Sequence, residues 1–440
     1  MKEKSLLFTL LITAIIAVGC NTGGSSNSNS QNNSGSGNGA SENDESSIGS
    51  DDSEVELSFW NFGADYGSLI EEYTEKNPEI SINVRQMEVE DHQTNLFTSL
   101  SAGGGAPDLA AIEASEIDSY IRAEDKFVNL LDLGAADLEE DYLDWAWETG
   151  SNIEGDFLLG LPADIGPTVM YYRADVFQEA GLPSEPEEVK ELIQTWEDYR
   201  HAAETILNET GKKMADNFET IFKAKRDQAP EHFFNEENEL IIDSSPYMKE
   251  AYDQTAQWIE EGYTDNLGMW SREWRNGIQE GSYATLLGPA WMGDIIKEYA
   301  PDESHWRIAP IPEGAGNWGG TWITIPEETE HAEEAYEFLT WLLAPEQQMQ
   351  LFKERETFPT TPAVYEDEEF TQAADDYYGG KYAADLIAEA ALEVPYVHKG
   401  PHYEDVNEEI LIGLNNVYYG SDSEEEWEEI IGMVERRILR

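Results

Sequence analysis

The sequence predicts an α/β fold in two parts. Two observations carry it: strand and helix signals alternate from residue 55 to residue 112, and a second α/β region follows residue 181. A third concerns size. At 440 residues with 40% apolar side chains, the chain has the length for two domain-sized units with large cores.

Each element has its own signal. Val55-Glu56-Leu57-Ser58-Phe59-Trp60 alternates and reads as a strand. Residues 61–67 form a polar, glycine-containing break. Ser68 is expected to cap a helix with Leu69, Ile70 and Tyr73 on one face, stopped by Asn77-Pro78. Ile80, Ile82 and Val84 alternate as a second strand. Residues 92–101 are helical, Gly103-Gly104-Gly105 ends them, and Pro107-Asp108 leads into a strand over 109–112. The glycines follow a helix and precede a strand, with no Gly-Lys-Ser/Thr after them. They terminate a helix and are not a phosphate loop. This β-α-β-α-β order implies a mainly parallel sheet, with the ends at Trp60 and Glu113 opening on one edge, where ligands of open α/β sheets bind.

Residues 160–181 organise the rest. A polar, exposed break over 162–167 is followed by an apolar run over 168–172 and a short helix with Val176 and Phe177 apolar, capped by Gly181. This reads either as a crossing between two lobes, with a ligand cleft at the crossing, or as an ordinary loop before a βα unit; local pattern leaves both open. Beyond it, residues 196–207, 247–261, 272–280 and 331–343 read as helices, and 283–287, 307–311 and 321–325 as strands. Residues 233–242 read as two short strands around an acidic turn. That turn lacks the ligand spacing and glycine of a calcium loop.

The charge restricts partners. Lys and Arg number 26 against 91 Asp and Glu, a net charge of −65, so the surface repels nucleic acid and anionic membrane and polyanions are poor partner candidates. The 13 tryptophans and the apolar fraction exclude a solvated tail. The acid is spread along the chain, as expected of a globule in concentrated salt, where the Debye length falls to about 3 Å at 1 M. An alkaline habitat is an equal explanation.

Cys20 is the single cysteine, so the folded part has no internal disulfide, thiol nucleophile or cysteine metal site. Two lysines in the first four residues, an apolar run over 5–18 and Gly19-Cys20 form a secretory signal over 1–20. Ala17-Val18-Gly19-Cys20 resembles the lipobox of bacterial lipoproteins, with Ala17 where leucine is usual. That implies a lipidated Cys20. Residues 21–53 are almost all Ser, Asn, Gly and acid, and are expected to be an unfolded tether with a mean reach of about 30 Å. Lipid, tether and globule together predict a protein held at the outer face of the cell membrane.

A series of stretches carries a family resemblance: Leu57-Ser58-Phe59-Trp60-Asn61, Tyr73-Thr74-Glu75-Lys76-Asn77-Pro78-Glu79-Ile80, Ser101-Ala102-Gly103-Gly104-Gly105-Ala106-Pro107-Asp108-Leu109, residues 168–181, and residues 319–345 with Ala335-Tyr336-Glu337-Phe338-Leu339. They span nearly all of 55–440. In this order the chain resembles the extracellular solute-binding proteins of bacterial ABC importers, in the family-1 group that binds sugars and oligosaccharides. The resemblance implies the type II periplasmic-binding-protein fold. Its lobe 1 is formed by 54–163 and roughly 284–340, its lobe 2 by 164–283 and roughly 341–440. It further implies a ligand taken up by lobe closure and delivered to the transmembrane subunits of a permease, a monomer, no catalysis, no cofactor and no metal. Asp164 to Tyr172 and Trp291-Met292-Gly293 are similar to binders of plant-derived oligosaccharides, arabino-oligosaccharides among them.

A sugar offers an apolar C–H face and a hydroxyl rim, so its site needs aromatic platforms and convergent polar groups. The candidates are Trp60 and Asn61 at the first strand end, Glu113 at the third, Asp164 in the crossing, Trp291 after Gly288-Pro289, and Trp318 beside Gly319-Gly320. Trp270, Tyr396 and His398 lie in polar or proline-broken stretches and join the set. Each tryptophan has packing as its alternative. Two other functions stay open. A secreted glycoside-acting enzyme needs a carboxylate pair, which 91 acidic residues neither support nor exclude. A ferric-ion or other small-solute binder of the same fold is the second, with Tyr171-Tyr172, Tyr377-Tyr378 and Tyr418-Tyr419 as iron ligands.

Overall fold

The computed structural model describes residues 44–49, 54–355, 357–373, 375–380 and 383–438. The signal-like run, Cys20 and residues 21–43 lie outside them. Among the described residues the strands are β1 (Asp44–Ile48), β2 (Val55–Asn61), β3 (Ile80–Gln86), β4 (Leu109–Glu113), β5 (Gly160–Arg173), β6 (Lys213–Ala215), β7 (Tyr283–Pro289), β8 (Trp306–Pro310) and β9 (Asn317–Thr324). Their order is β1-β3-β2-β4-β9-β5-β7-β6, with β8 also on β5.

The first lobe follows the predicted alternation. β2 lies parallel to β3 from Val55↔Ile80 to Asn61↔Gln86, and parallel to β4 at Phe59↔Leu109. Leu57 and Phe59 point to one face and pack with Leu69, Ile70 and Tyr73 of the helix Gly67–Lys76 and with Phe338 and Leu339 of Ala332–Leu342. Truncating a core ring such as Phe59 costs about 3–5 kcal/mol. Ser68 does not cap its helix: Tyr66 is the flanking residue, and the Ser68 hydroxyl donates to Glu354 at 2.7 Å. Gly103, at φ +66, ends the helix Val89–Ala102 as expected. The tether is shorter than predicted, because Asp44–Ile48 pairs antiparallel with β3. An open sheet edge offers backbone donors and acceptors to any extended segment, whatever its side chains.

The sheets are mixed rather than mainly parallel. Parallel pairing joins β2 to β3 and β4, and β6 to β7, whereas β9 runs antiparallel to β4 and β5, and β7 and β8 antiparallel to β5. β5 is the reason. It is one continuous strand that pairs with β9 over Gly160 to Pro167, then lies between β7 and β8 over Thr168 to Arg173. The exposed break expected at 162–167 is absent. These residues are buried except for half-buried Asp164, and two register shifts, at Pro162/Asp164 and Ile165/Pro167, accommodate prolines that have no N–H for a ladder.

Strand pairing also moves the lobe boundary. β7 and β8 belong with the second half of β5, so the chain returns to the first lobe at Asn317 and not near residue 284. The second lobe is completed by helices Tyr403–Tyr418 and Ser423–Ile438, packed on Phe218–Asp227 and Pro246–Glu260 through Val406, Ile410, Phe222 and Tyr252. Residues 233–242 form no paired strands; Phe234 and Leu240 make a single bridge, with Asn238 at φ +61 in the turn. No helix among the described residues is long and apolar enough to cross a membrane.

Candidate functional site

The parallel strands β2 and β4 end side by side. Trp60, half-buried, lies under the Arg85 guanidinium at 5.0 Å from the ring centre. Asn61 turns inward and is buried: its Nδ2 donates to Ala64 O at 2.7 Å and to Gln86 Oε1 at 3.0 Å, bracing the turn after β2. It presents no side chain to a cleft. Glu113 Oε2 accepts from the backbone N–H of Ser115 at 2.7 Å and from the Ser115 hydroxyl. Its Oε1 lies 3.6 Å from where a Cβ on Gly319 would stand.

The lobe junction is built from glycine and one carboxylate. Asn317 ties β9 to β5: its Oδ1 accepts from Gly166 N at 2.8 Å and its Nδ2 donates to Gly319 O at 2.6 Å. Gly320, at φ +127, lies against Asp164 O, which a Cβ would approach to 2.6 Å, so only glycine fits. Asp164 stands opposite Thr321 and accepts from its side chain and backbone. The residue is half-buried, but Oδ1 is shielded from solvent and has no partner within the protein. Burial pushes its carboxyl up to about 6; the Thr321 bonds oppose this and the Glu113 charge adds to it.

Three of the predicted tryptophans meet here. Trp270 and Trp291 lie near-parallel, 18° apart in plane with centroids at 6.5 Å, and Trp291 meets Trp318 edge to face at 6.1 Å. Trp270 has φ +65, a conformation costly for a bulky side chain, and it remains 44% exposed. Arg275 pins it, donating from Nη2 and Nε to Trp270 O at 2.6 and 3.0 Å. The Lys223 ammonium stands 4.5 Å from the centre of the Trp318 ring and pairs with Glu219 at 2.8 Å.

A groove of about 630 Å³ extends from this point, lined by Asn217, Lys223, Gly268, Glu404 and Asn407 among others. Glu116, just beyond β4, faces the same junction. Its carboxyl is pushed up to about 7 by burial and by the charges of Glu113, Glu404 and Asp405, against the pull of Lys399. Aromatic faces beside amides and carboxylates can hold a ring with an apolar face and a hydroxyl edge. No group of three or more His, Cys, Asp or Glu among the described residues is placed to hold a metal ion.

Tyr396 and His398 do not join the tryptophans. They line a separate cavity of about 540 Å³ with Glu231, Asn235 and Glu236. A third cavity, about 410 Å³, lies against Tyr171, Ile308, Phe358 and Ile387 and touches none of the predicted residues. Five of the six tyrosines offered for iron spend their hydroxyls on the protein: Tyr171 donates to Pro289 O and Ala290 O at 2.9 Å, Tyr172 to Ser184 O at 3.0 Å, Tyr377 to Ala300 O at 2.8 Å, Tyr378 to Gly293 O at 2.6 Å and Tyr418 to Asp265 at 3.2 Å, while Tyr419 stands 77% exposed. Sequence reasoning missed Arg85, Glu116, Asn217, Lys223 and Glu404. Asn217 follows a strand of three residues, too short to alternate, and the others sit among many similar charges.

The family described as bacterial extracellular solute-binding protein matches residues 68–375. The arabinooligosaccharide-binding protein of Bacillus subtilis (strain 168) is 30% identical over 319 residues, 67% of this chain and 70% of that protein. The lactose-binding protein of Rhizobium radiobacter is 24% identical over 369 residues, 78% and 84% of the two chains. A crystal structure of an extracellular solute-binding protein family 1 member superposes with a TM-score of 0.82 at 31% identity, covering 86% of this chain and 98% of the other.

Proposed function

The chain belongs to the bacterial extracellular solute-binding protein family, and on that premise we propose that it captures a short, uncharged oligosaccharide between its lobes and hands it to an ABC permease. The observation that carries this is the run Trp270–Trp291–Trp318 beside Glu113 and Asp164, with Trp270 held exposed in a strained backbone. Such strain persists only where surrounding structure enforces it, and it concentrates at ligand clamps. The aromatic faces take sugar C–H surfaces. Glu113 and Asp164 orient hydroxyls, each bond to a charged group contributing about 1.5–3 kcal/mol.

Arabino-oligosaccharides are the first class to test, supported by the named relative of Bacillus subtilis. Carboxylates on both sides of the junction, Glu113, Glu116 and Glu404, argue against anionic sugars. The protein acts by binding alone, as a monomer, with no cofactor. Lipidation of Cys20 holds it at the outer face of the membrane, where the 26 basic and 91 acidic residues suit a concentrated salt medium. The spent hydroxyls of Tyr171, Tyr172, Tyr377, Tyr378 and Tyr418 speak against ferric iron, which requires ionised tyrosines.

The test is calorimetric titration of arabinobiose, arabinotriose, galactobiose and lactose. Binding of at least one below about 100 μM supports the reading; no binding of any of them, with tight binding of ferric citrate, replaces it.

A further inference from the structure

Residues 394–401 join helix Ala383–Glu393 to helix Tyr403–Tyr418 and touch both lobes. Their end is fixed to the second lobe. Gly400, at φ +76, packs on Phe234 so closely that a Cβ would stand 2.6 Å from the ring, and the Lys399 ammonium lies 5.5 Å from the centre of the Tyr403 ring. The same stretch meets the first lobe at Asp118, in the short helix Ile117–Ile121 that follows β4 and Glu113. Asp118 Oδ2 accepts the backbone N–H of Lys399 at 2.7 Å and of Gly400 at 2.8 Å. Two successive amides aimed at one oxygen, the second from a left-handed residue, form a backbone nest for an anion.

Two more contacts reinforce the junction. His398 Nδ1 lies 3.3 Å from the same oxygen, without the alignment of a hydrogen bond, and the Ser119 hydroxyl donates to Pro401 O at 3.2 Å. Alternate residues face opposite ways. Tyr396 and His398 turn to the outer cavity, whereas Val397 and Lys399 turn to a cavity of about 30 Å³ lined by Ala114 and Trp145 of the first lobe and Asp227 and His232 of the second. The stretch therefore spans the lobe junction and does not merely cover one lobe.

We propose that Asp118, seated in the Lys399–Gly400 amide nest, is a latch between the lobes: a positioning residue that sets how long the closed complex lasts without touching the sugar. This rests on the reading that the lobes close on ligand, and not on which sugar they hold. Charge-assisted bonds to backbone amides are among the stronger hydrogen bonds. Opening returns the carboxylate and both amides to water, so the latch contributes only the difference. The loss of one bond to a charged group shifts such an equilibrium by about tenfold.

The experiment compares the full-length parent with Asp118→Ala and with Asp118→Asn, which keeps an acceptor oxygen and loses the charge. Without sugar, hydrogen exchange is followed at the amides of Lys399 and Gly400, and X-ray scattering gives the radius of gyration. With arabinotriose, stopped-flow tryptophan fluorescence separates association from dissociation. The alanine variant is expected to exchange faster at both amides, to have a larger radius and to release arabinotriose about ten times faster, with association changed less than threefold; the asparagine variant falls between. A melting temperature lowered in either variant with exchange, radius and release unchanged would mean a local structural role and overturn the latch. If the parent binds lactose, galactobiose or arabinobiose instead, that sugar replaces arabinotriose in the release measurement; if it binds none of the four, the sugar reading fails, and exchange with scattering decides the latch alone.

Discussion

Replacing Trp270 with glycine should separate ligand binding from stability. The ring is 44% exposed. An aromatic side chain of this size presents up to about 250 Å², so roughly 110 Å² remains open. A sugar ring covering half of that removes about 55 Å² from water, worth about 1.4 kcal/mol at 25 cal/mol per Å², or about tenfold in Kd. The fold responds differently. A non-glycine residue in the left-handed region costs roughly 1–2 kcal/mol, and glycine at φ +65 removes that cost. Against this stands the loss of ring contact with Trp274, at 5.3 Å, and with Trp291. The carbonyl that Arg275 holds is retained. Stability should therefore change by less than about 1 kcal/mol, because a strain of that size offsets a partly exposed contact. Calorimetric titration of arabinotriose and urea unfolding of parent and variant give both numbers. Affinity within twofold of the parent, with the fold intact, would refute the platform assignment.

Three further outcomes are expected. Cys20→Ser should move the protein from the membrane fraction to the medium or leave it unprocessed; unchanged membrane attachment would remove the lipid anchor. The melting temperature should rise between dilute and molar sodium chloride, because a net charge of −65 repels itself at low ionic strength; a flat profile would remove the salt argument. Stability should also depend on pH through Glu116 and Asp164, whose carboxyls are pushed up to about 7 and about 6. A raised folded pKa gives a contribution that is complete below the ordinary carboxylate range and lost as pH rises through the folded value. Unfolding free energy from these groups therefore falls from about pH 4 to pH 7. His92 and His232, held below their ordinary value by burial, oppose this on the acid side. Glu116→Gln, which removes the group facing Glu113, Glu404, Asp405, Lys399 and Tyr120, should flatten the slope; slopes equal to the parent's would contradict the assignment.

The parts of the fold that sequence revealed are those governed by local periodicity. β2 and β3 alternate because one face of each packs on helices, β4 is a short apolar run buried on both faces, and their shared edge places Trp60 and Glu113. Trp291 and Trp318 stand beside glycine or proline turns at strand ends, and the structure brings them together with Trp270. What stayed hidden depends on long-range pairing. The prolines of β5 read as a break, yet register shifts against β9 absorb them. Asn61 reads as a cleft amide, but Gln86 and Ala64 supply closer partners. Tyr396 and His398 alternate with Val397 and Lys399, so the extended stretch that carries them sends the two pairs to opposite sides, a fact no composition reveals. The left-handed backbone of Trp270 has no sequence signal, since glycine or asparagine would be expected there.

The most direct measurement is a crystal structure of the protein with the oligosaccharide that binds it most tightly. A sugar ring is expected against the exposed face of Trp270, with a second unit reaching toward Trp291 or Trp318 and hydroxyls within hydrogen-bond distance of Glu113 or Asp164. Sugar density in the cavity beside Tyr171 and Ile387, or in the cavity of Tyr396 and His398, with the tryptophans uncovered, would contradict it.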